Sequence, residues 1–314
     1  MPELPEVETT TRGLKKTITG LIIKDVWTDL ATKDKRQREN VANKKYFKTF
    51  RKQIKNKKIL SVERRAKNIL INLKGGKTIL VHLKMTGHLL YGAYRKLKVK
   101  SQKSKAIEKW VPAEKGPLHD PFNRFVHVVF TFSNNKHLAF SDARKFGKIT
   151  LLPTKNAHDT KHLNNIGPEP LDPKFTIKNL LQRFNRWKNK KIKTALMDQS
   201  IIAGIGNIYS DEILWRAGIH PEKKISTLLR QGSKGQELKL MFKAIKETLT
   251  KGINFGGDSM SDYRNIHGLP GKFQLHHEAY RRTGEKCRKK GCSGIIKRKV
   301  INGRSAHFCS IHQK

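Results

Sequence analysis

The hydrophobic period of this chain changes near residue 153, and that change limits the fold more than any other feature. From about residue 20 to 152, short β-favouring runs dominate. NILINL (68–73) and TILVHL (78–83) are joined by KGGK, where Gly75-Gly76 suits a tight hairpin turn. RFVHVVFTF (124–132) and HLAFSD (137–142) flank a polar turn at 133–136 and predict a second hairpin. From about 153 to 255 the spacing becomes helical. Ile177, Leu180, Leu181 and Phe184 share one face of TIKNLLQRFNRW (176–187), and QELKLMFKAIKETL (236–249) behaves similarly. These stripes are core. No internal repeat is present.

The last fifty residues are a third region, rich in Gly, Lys and Arg and poor in large apolar groups. So small a segment buries little surface and needs a staple. Cys287, Cys292, Cys309 and His312 supply one, as C-x4-C, sixteen residues, then C-x2-H. Two pairs of soft ligands separated by enough chain for a β-hairpin match a closed tetrahedral zinc site. The intervening GIIKRKVINGRSAHF has the turn signal Asn302-Gly303, followed directly by Arg304. An arginine there is placed to hold a phosphate or enter a groove.

Charge narrows the partner. The 314 residues hold 67 Lys+Arg against 25 Asp+Glu, a net charge of +42. With a pI near 10.4, a polyanion is expected, and nucleic acid is the commonest soluble one. A membrane partner is disfavoured: no stretch reads as a span, and the basic residues are spread along the chain. The N-terminus lacks a signal-peptide pattern, so a cytoplasmic protein is expected. Three cysteines do not make a disulfide framework. Residues 95–115, with eight Lys/Arg and little periodicity, are expected to form an exposed insertion or long loop.

KTALMDQSIIAGIGNIYSDEILWRAGI (193–219) predicts helix, glycine-bearing turn, helix. Asn207 stands where an N-cap is wanted, with Asp211 and Glu212 in the turns that follow. The amides of such a helix start attract a phosphate, although GIGN alone is a weak motif.

The opening decapeptide MPELPEVETT is acidic and proline-locked in an otherwise basic chain. Together with RRAKNILINL (64–73), HLKMTGHL (82–89), DARKFG (142–147), IGPEPL (166–171), GIGNIYSDE (204–212), INFGGDSMSDY (253–263) and the tail HFCSIHQ, it resembles the formamidopyrimidine-DNA glycosylases of the Fpg/Nei superfamily. These motifs occur in the family's order over nearly the whole chain. The resemblance implies an α+β multidomain fold. An N-terminal β-sandwich with a leading helix (1–152) precedes a helix–two-turn–helix domain (153–265), and residues 266–314 carry the lesion-loop end and a zinc-finger β-hairpin. It implies a monomeric bifunctional DNA glycosylase and AP lyase, excising oxidised purines from double-stranded DNA and then cleaving the strand.

Site residues follow from the same resemblance. With Met1 removed, Pro2 becomes a terminal secondary amine, the nucleophile. An α-amino group titrates near ~8, well below lysine. Surrounding positive charge and a helix N-terminus would depress it further. Glu3 is its proton-transfer partner, and Pro5 suits the first turn of the leading helix. Lys67 and Arg304 join the catalytic group and, with His82 and Asn207, the phosphate ligands. Met85, Arg144 and Phe146 match the triad that fills the hole left by an extruded base: Phe146 a wedge, Arg144 facing the orphaned cytosine, Met85 in the vacated space. For lesion recognition, Glu6 matches the residue beside the flipped base, and Ser259, with Tyr263 nearby, lies in a stretch that resembles the loop closing over the damaged base. The C-x4-C half and the terminal His depart from the commoner paired C-x2-C, and Ala143 replaces a frequent proline. The rivals are an endonuclease VIII-like enzyme for oxidised pyrimidines and a non-catalytic nucleic-acid-binding protein. Leu4, the Met85/Arg144/Phe146 set and the retained Pro2-Glu3 pair weigh against them.

Overall fold

The computed structural model describes residues 1–100, 106–230, 232, 235–260 and 262–314. Two compact units form. One is Met1–Pro2, Glu6–Leu163 and Gly256–Lys272; the other is Glu3–Pro5, Asn164–Phe255 and Phe273–Lys314. These cuts differ from the segments 1–152, 153–265 and 266–314 read from the sequence. Gly256–Lys272 returns to the first unit because Ile266 is buried in its core. The C-terminal hairpin belongs with the helices.

In the first unit two four-stranded antiparallel sheets share one core. Strands β1 (Ile23–Thr28), β2 (Ile59–Arg65), β3 (Asn68–Leu73), β4 (Lys77–His82) and β5 (His88–Gly92) are followed by a hairpin of β6 (Tyr94–Lys100) and β7 (Ala106–Pro112), then β8 (Val126–Phe132), β9 (His137–Ser141) and β10 (Lys148–Pro153). The sheets run β1-β8-β9-β5 and β10-β4-β3-β2. Alternation along each strand sends Val128, Phe130 and Phe140 of one sheet, and Ile69, Ile71 and Ile79 of the other, into a common interior. Each such side chain contributes about 1.5–3 kcal/mol when fully buried. Helix α1 (Leu4–Ile18) adds Val7, Leu14 and Ile18 to that core.

Two elements here are additional to those expected from the sequence. Helix α2 (Lys44–Ile54) starts at Asn43, whose side chain accepts the Tyr46 N–H at 3.0 Å, and buries Phe50 and Ile54. The basic 95–115 stretch, expected as an exposed insertion or long loop, is mostly the β6–β7 hairpin, with Lys96 opposite Trp110 and paired to Glu108 at 3.0 Å. Trp110 packs against Trp27 and His137. Basic and apolar residues alternate in KLKVK (96–100), but Arg95 and Lys109 place charge among the apolar positions and dilute the pattern. Residues 101–105 of that stretch, and Ser261 of INFGGDSMSDY, lie outside the described residues.

The second unit contains α3 (Ile177–Asn185), α4 (Ile192–Met197), α5 (Asn207–Ala217), α6 (Ile225–Leu229), α7 (Gln236–Asn254) and a hairpin of β11 (Ile296–Ile301) and β12 (Arg304–Cys309). A capping box between Thr176 and Asn179 opens α3, and Gly218 closes α5 in the left-handed region (φ 71°). Leu180, Phe184, Ile205, Tyr209, Ile213 and Leu249 form the core, with Leu4 among them. The β11–β12 turn has φ of 47° at Asn302 and 72° at Gly303, the geometry of a type I′ turn. Among the described residues no helix is long and apolar enough to cross a membrane.

Candidate active site and metal centre

Glu3 sits on the start of α5. Its carboxylate accepts the N–H groups of Gly206 (2.7 Å), Ile208 (2.9 Å) and Tyr209 (3.4 Å). This corrects the reading of Asn207 as an N-cap. Gly206 occupies the cap position without a side-chain bond, and Asn207 is the first helical residue. A carboxylate distant in sequence supplies the acceptor that a cap would have given. Two glycines make the approach possible. A Cβ at Gly206 would lie 2.4 Å from Glu3 Cδ, and one at Gly204 (φ 84°) would lie 2.6 Å from Leu4 Cβ. The Leu4 N–H donates to the Gly204 carbonyl at 3.0 Å, fixing the segment. Gln199, unremarked in the sequence, braces the turn: it accepts from Gly204 N (2.9 Å) and donates to Ile205 O (2.7 Å).

In the first unit Pro2 is buried, whereas Met1 is 43% exposed. Glu6 is buried, and its Oε1 accepts the Asp258 N–H at 2.7 Å. Tyr263 donates its hydroxyl to the Glu6 carbonyl at 3.1 Å, and burial pushes that hydroxyl's pKa up. Ser259 donates to Tyr263 O (2.7 Å) and accepts from Gly271 N (2.8 Å). The three lesion-recognition candidates are thus brought together, with these contacts made to backbone.

Lys67 is buried at the β2–β3 turn, directly after Ala66, which has φ 52°. His82 ends β4, and its Nδ1 accepts the Lys84 N–H at 3.0 Å. That bond leaves the proton on Nε2 in the neutral ring. Desolvation by burial, with Lys84 and Lys67 adding to it, lowers the His82 pKa to about 3. His82 is therefore a neutral donor at physiological pH.

Met85 and the Arg144/Phe146 loop are held together by Thr86 and Asp142, which lie inside the HLKMTGHL and DARKFG runs but are not among the expected site residues. Thr86 donates its hydroxyl to Asp142, and Asp142 accepts the Gly147 N–H at 2.7 Å. The Arg144 N–H bonds Thr86 Oγ1 at 3.1 Å. The Arg144 guanidinium lies 4.6 Å from the Phe146 ring centroid, and Phe146 is 52% exposed. Asp142 opens the DARKFG motif, and its position in that run is the one hint of its role.

The hairpin carrying Arg304 is tied to the helices by buried polar groups. Asp211, expected near a helix start for its charge, instead pairs with Lys193 at 2.6 Å and accepts both N–H groups of His307 at 2.9 Å. Glu212 accepts the N–H groups of Glu278, Ala279 and Tyr280 at 2.8–2.9 Å, yet desolvation still raises its pKa. Asn302 reaches Thr194 at 3.1 Å. Arg304 itself is exposed at the head of β12.

Cys287, Cys292, Cys309 and His312 bring their ligand atoms within 4.8 Å of one another, a cluster suited to a metal ion. The Cys292 and Cys309 sulfurs are 3.7 Å apart, close to the ~3.8 Å edge of a tetrahedron with metal–sulfur bonds of ~2.3 Å. His312 Nε2 donates to the Trp215 carbonyl at 2.9 Å, turning Nδ1 toward Cys287 (3.3 Å). Such an outer bond sets the tautomer a metal needs.

The chain is similar to known proteins over nearly its whole length. A family model for the formamidopyrimidine-DNA glycosylase N-terminal domain matches residues 1–149, and one for the H2TH domain of the same enzymes matches 166–264. A formamidopyrimidine-DNA glycosylase from Pelotomaculum thermopropionicum is 37% identical, with 100% of this chain and 99% of that protein aligned. One from Herpetosiphon aurantiacus is 36% identical over 100% of both. A solved complex between Lactococcus lactis Fpg and DNA containing an abasic site superposes with a TM-score of 0.78, at 30% identity and 99% coverage of each chain. The wild-type Lactococcus lactis enzyme with DNA containing N7-benzyl-Fapy-dG gives 0.76 at 32% identity, with 100% coverage of each. The chain belongs to the formamidopyrimidine-DNA glycosylase family.

Proposed function

We propose that this chain is a bifunctional DNA glycosylase and AP lyase of base excision repair, acting on oxidised purines such as 8-oxoguanine and formamidopyrimidines in double-stranded DNA. The observation that carries the reading is the seating of Glu3 on three α5 amides, one residue after the buried Pro2. A carboxylate held that firmly is a positioned proton carrier beside a potential terminal amine.

With Met1 removed, the Pro2 nitrogen attacks the sugar C1′, the C1′–N bond to the damaged base breaks, and the base leaves with a proton. The sugar ring opens to an iminium on Pro2. Loss of the C2′ proton expels the 3′ phosphate, and a second elimination expels the 5′ phosphate. Hydrolysis then frees the enzyme. Glu3 moves protons in these steps. Neutral His82 donates Nε2–H to a phosphate, joined by Lys67, Asn207 and Arg304. Met85, Arg144 and Phe146 fill the gap in the stack. Glu6, Ser259 and Tyr263 set the shape of the lesion loop.

Zinc is the metal we assign to Cys287, Cys292, Cys309 and His312. It braces the hairpin that presents Arg304 and enters no chemical step. The segment 1–152 is the catalytic region, 153–265 the helix–two-turn–helix and 266–314 the finger. The protein works as a monomer on damaged duplex DNA in the cytoplasm, without a membrane partner.

Borohydride trapping on an abasic duplex tests the mechanism. A covalent adduct is expected, much weakened by Pro2→Gly and by Glu3→Gln. No adduct, or one unchanged in both variants, overturns it. Faster excision of thymine glycol than of 8-oxoguanine opposite cytosine would move the substrate to oxidised pyrimidines.

A further inference from the structure

A concave surface of about 780 Å³ lies between α2 and the β3–β4 turn of the first unit, lined by Lys48, Thr49, Lys52, Gln53, Lys57 and Lys77 together with Gly75. No lining residue is acidic. Lys57 Nζ lies 3.4 Å from where a Cβ on Gly75 would stand, so the bare turn lets this ammonium group lie across it. Among the described residues none of the four lysines has an ion-pair partner; the neighbouring pair is Arg51 with Asp25.

The faces of the helix concentrate this charge. Phe50 and Ile54 take its inner side, while Lys44, Lys48 and Lys52 follow one another at i, i+4 spacing on the exposed side. Like charges at that spacing oppose helix formation, and Lys57 and Lys77 add to the repulsion. An anion bound in the hollow would relieve it.

The hollow is separate from the candidate phosphate ligands of the same unit. His82 pairs with Asn68 at one end of the β3–β4 ladder, and Lys77 pairs with Leu73 at the other. Five residue steps along β4 separate them, about 17 Å at ~3.3 Å per step.

We propose that this hollow binds the phosphate backbone of a second segment of double-stranded DNA, distinct from the segment holding the lesion. The inference rests on the reading of the chain as a DNA-repair enzyme, in which undamaged duplex is the polyanion in greatest excess. Lys48, Lys52, Lys57 and Lys77 neutralise phosphates, Thr49 and Gln53 donate hydrogen bonds to their oxygens, and no base is read. A protein gripping two segments can pass from one to the other without full release, which suits a search for rare lesions.

The test fills the lesion site first. Wild type and a Lys48→Gln, Lys52→Gln, Lys57→Gln, Lys77→Gln variant are trapped by borohydride on a lesion duplex of ~15 base pairs, about one and a half helical turns. Each adduct is then titrated with a fluorescent undamaged duplex over a range of salt. The wild-type adduct is expected to capture the second duplex, and the variant to bind it at least 10-fold more weakly. The log–log salt slope should be shallower by up to about 3.6, at ~0.9 for each phosphate that is no longer neutralised. Equal trapping of the two proteins shows the variant folded. Equal capture and equal slope, or no capture by wild type, overturn the proposal. So does saturable binding of tripolyphosphate at these lysines without duplex capture, which would make the hollow a small-polyphosphate site. If no adduct forms, the proposed function fails instead, and the hollow is read from the undamaged-duplex affinities of the free proteins.

Discussion

The Glu3 carboxylate accepts the Gly206 N–H at 2.7 Å, and a Cβ on residue 206 would stand 2.4 Å from Glu3 Cδ. The helix start and the carboxylate therefore share a space that only glycine leaves open. Gly206→Ala should displace Glu3 while the rest of α5 stays folded. Base excision is expected to fall ~10²-fold, the lower end of what general acid–base catalysis contributes. Trapping on a preformed abasic aldehyde should fall less, because no base has to leave. Single-turnover excision and trapping yields, measured side by side, check this. Equal losses in both would mean that the alanine disrupts binding rather than proton transfer.

Phe146 is 52% exposed and rests under Arg144. An aromatic left in water at a loop tip contributes little to folding, so Phe146→Ala should change stability by no more than about 0.5 kcal/mol. Its expected cost lies in binding, where unstacking a base takes a few kcal/mol. Affinity for a lesion duplex should drop ~10–100-fold, while affinity for single-stranded DNA holds. Paired thermal melts and binding titrations check it; a large fall in Tm with unchanged affinity would make Phe146 a packing residue.

Metal removal has a directional consequence. The cluster of Cys287, Cys292, Cys309 and His312 closes the base of the hairpin whose turn presents Arg304. Stripping the metal should free that hairpin and abolish stable duplex binding, with recovery on adding zinc. Metal content by elemental analysis, read against duplex affinity, checks this. Unaltered affinity after confirmed metal loss would separate Arg304 from the finger.

Legibility in the sequence followed the range of the interactions. The β3–β4 and β8–β9 hairpins and helices α3 and α7 were readable because their apolar spacing is local. Helix α2 also has helical apolar spacing, at Tyr46, Phe47, Phe50 and Ile54, but that stripe is narrow beside the five Lys/Arg of KKYFKTFRKQI. The β6–β7 hairpin alternates in KLKVK (96–100), but Arg95 and Lys109 interrupt its apolar positions. The metal cluster was readable because few chemistries need three cysteines and a histidine at those intervals. What joins the site parts was not. Asp211 meets His307 across 96 positions, and the buried Lys193–Asp211 pair resembles, in sequence, an i, i+18 coincidence of charges. Breaking such a pair one-sidedly costs about 3–5 kcal/mol, yet no local pattern announces it. Asn207 misled for the converse reason: a good capping residue stood at the right place, but Glu3 had already taken the amides.

His82 gives a pH dependence with a definite sign. Burial lowers its folded-state pKa from the ordinary 6.5 to about 3. Between those values the unfolded chain holds the proton and the folded chain does not. The contribution of this group to stability is therefore complete above about pH 6.5 and is lost as pH falls toward 3. His82→Gln removes the titration while keeping a hydrogen-bonding side chain, so its Tm should decline less steeply than that of wild type between pH 6.5 and 4. The same neutrality predicts that duplex affinity carries no His82 titration step between pH 6 and 8. Thermal melts and duplex titrations across pH, run on both proteins, check the two statements. A wild-type affinity step near pH 6.5 that His82→Gln abolishes would show that the ring is protonated when it meets phosphate.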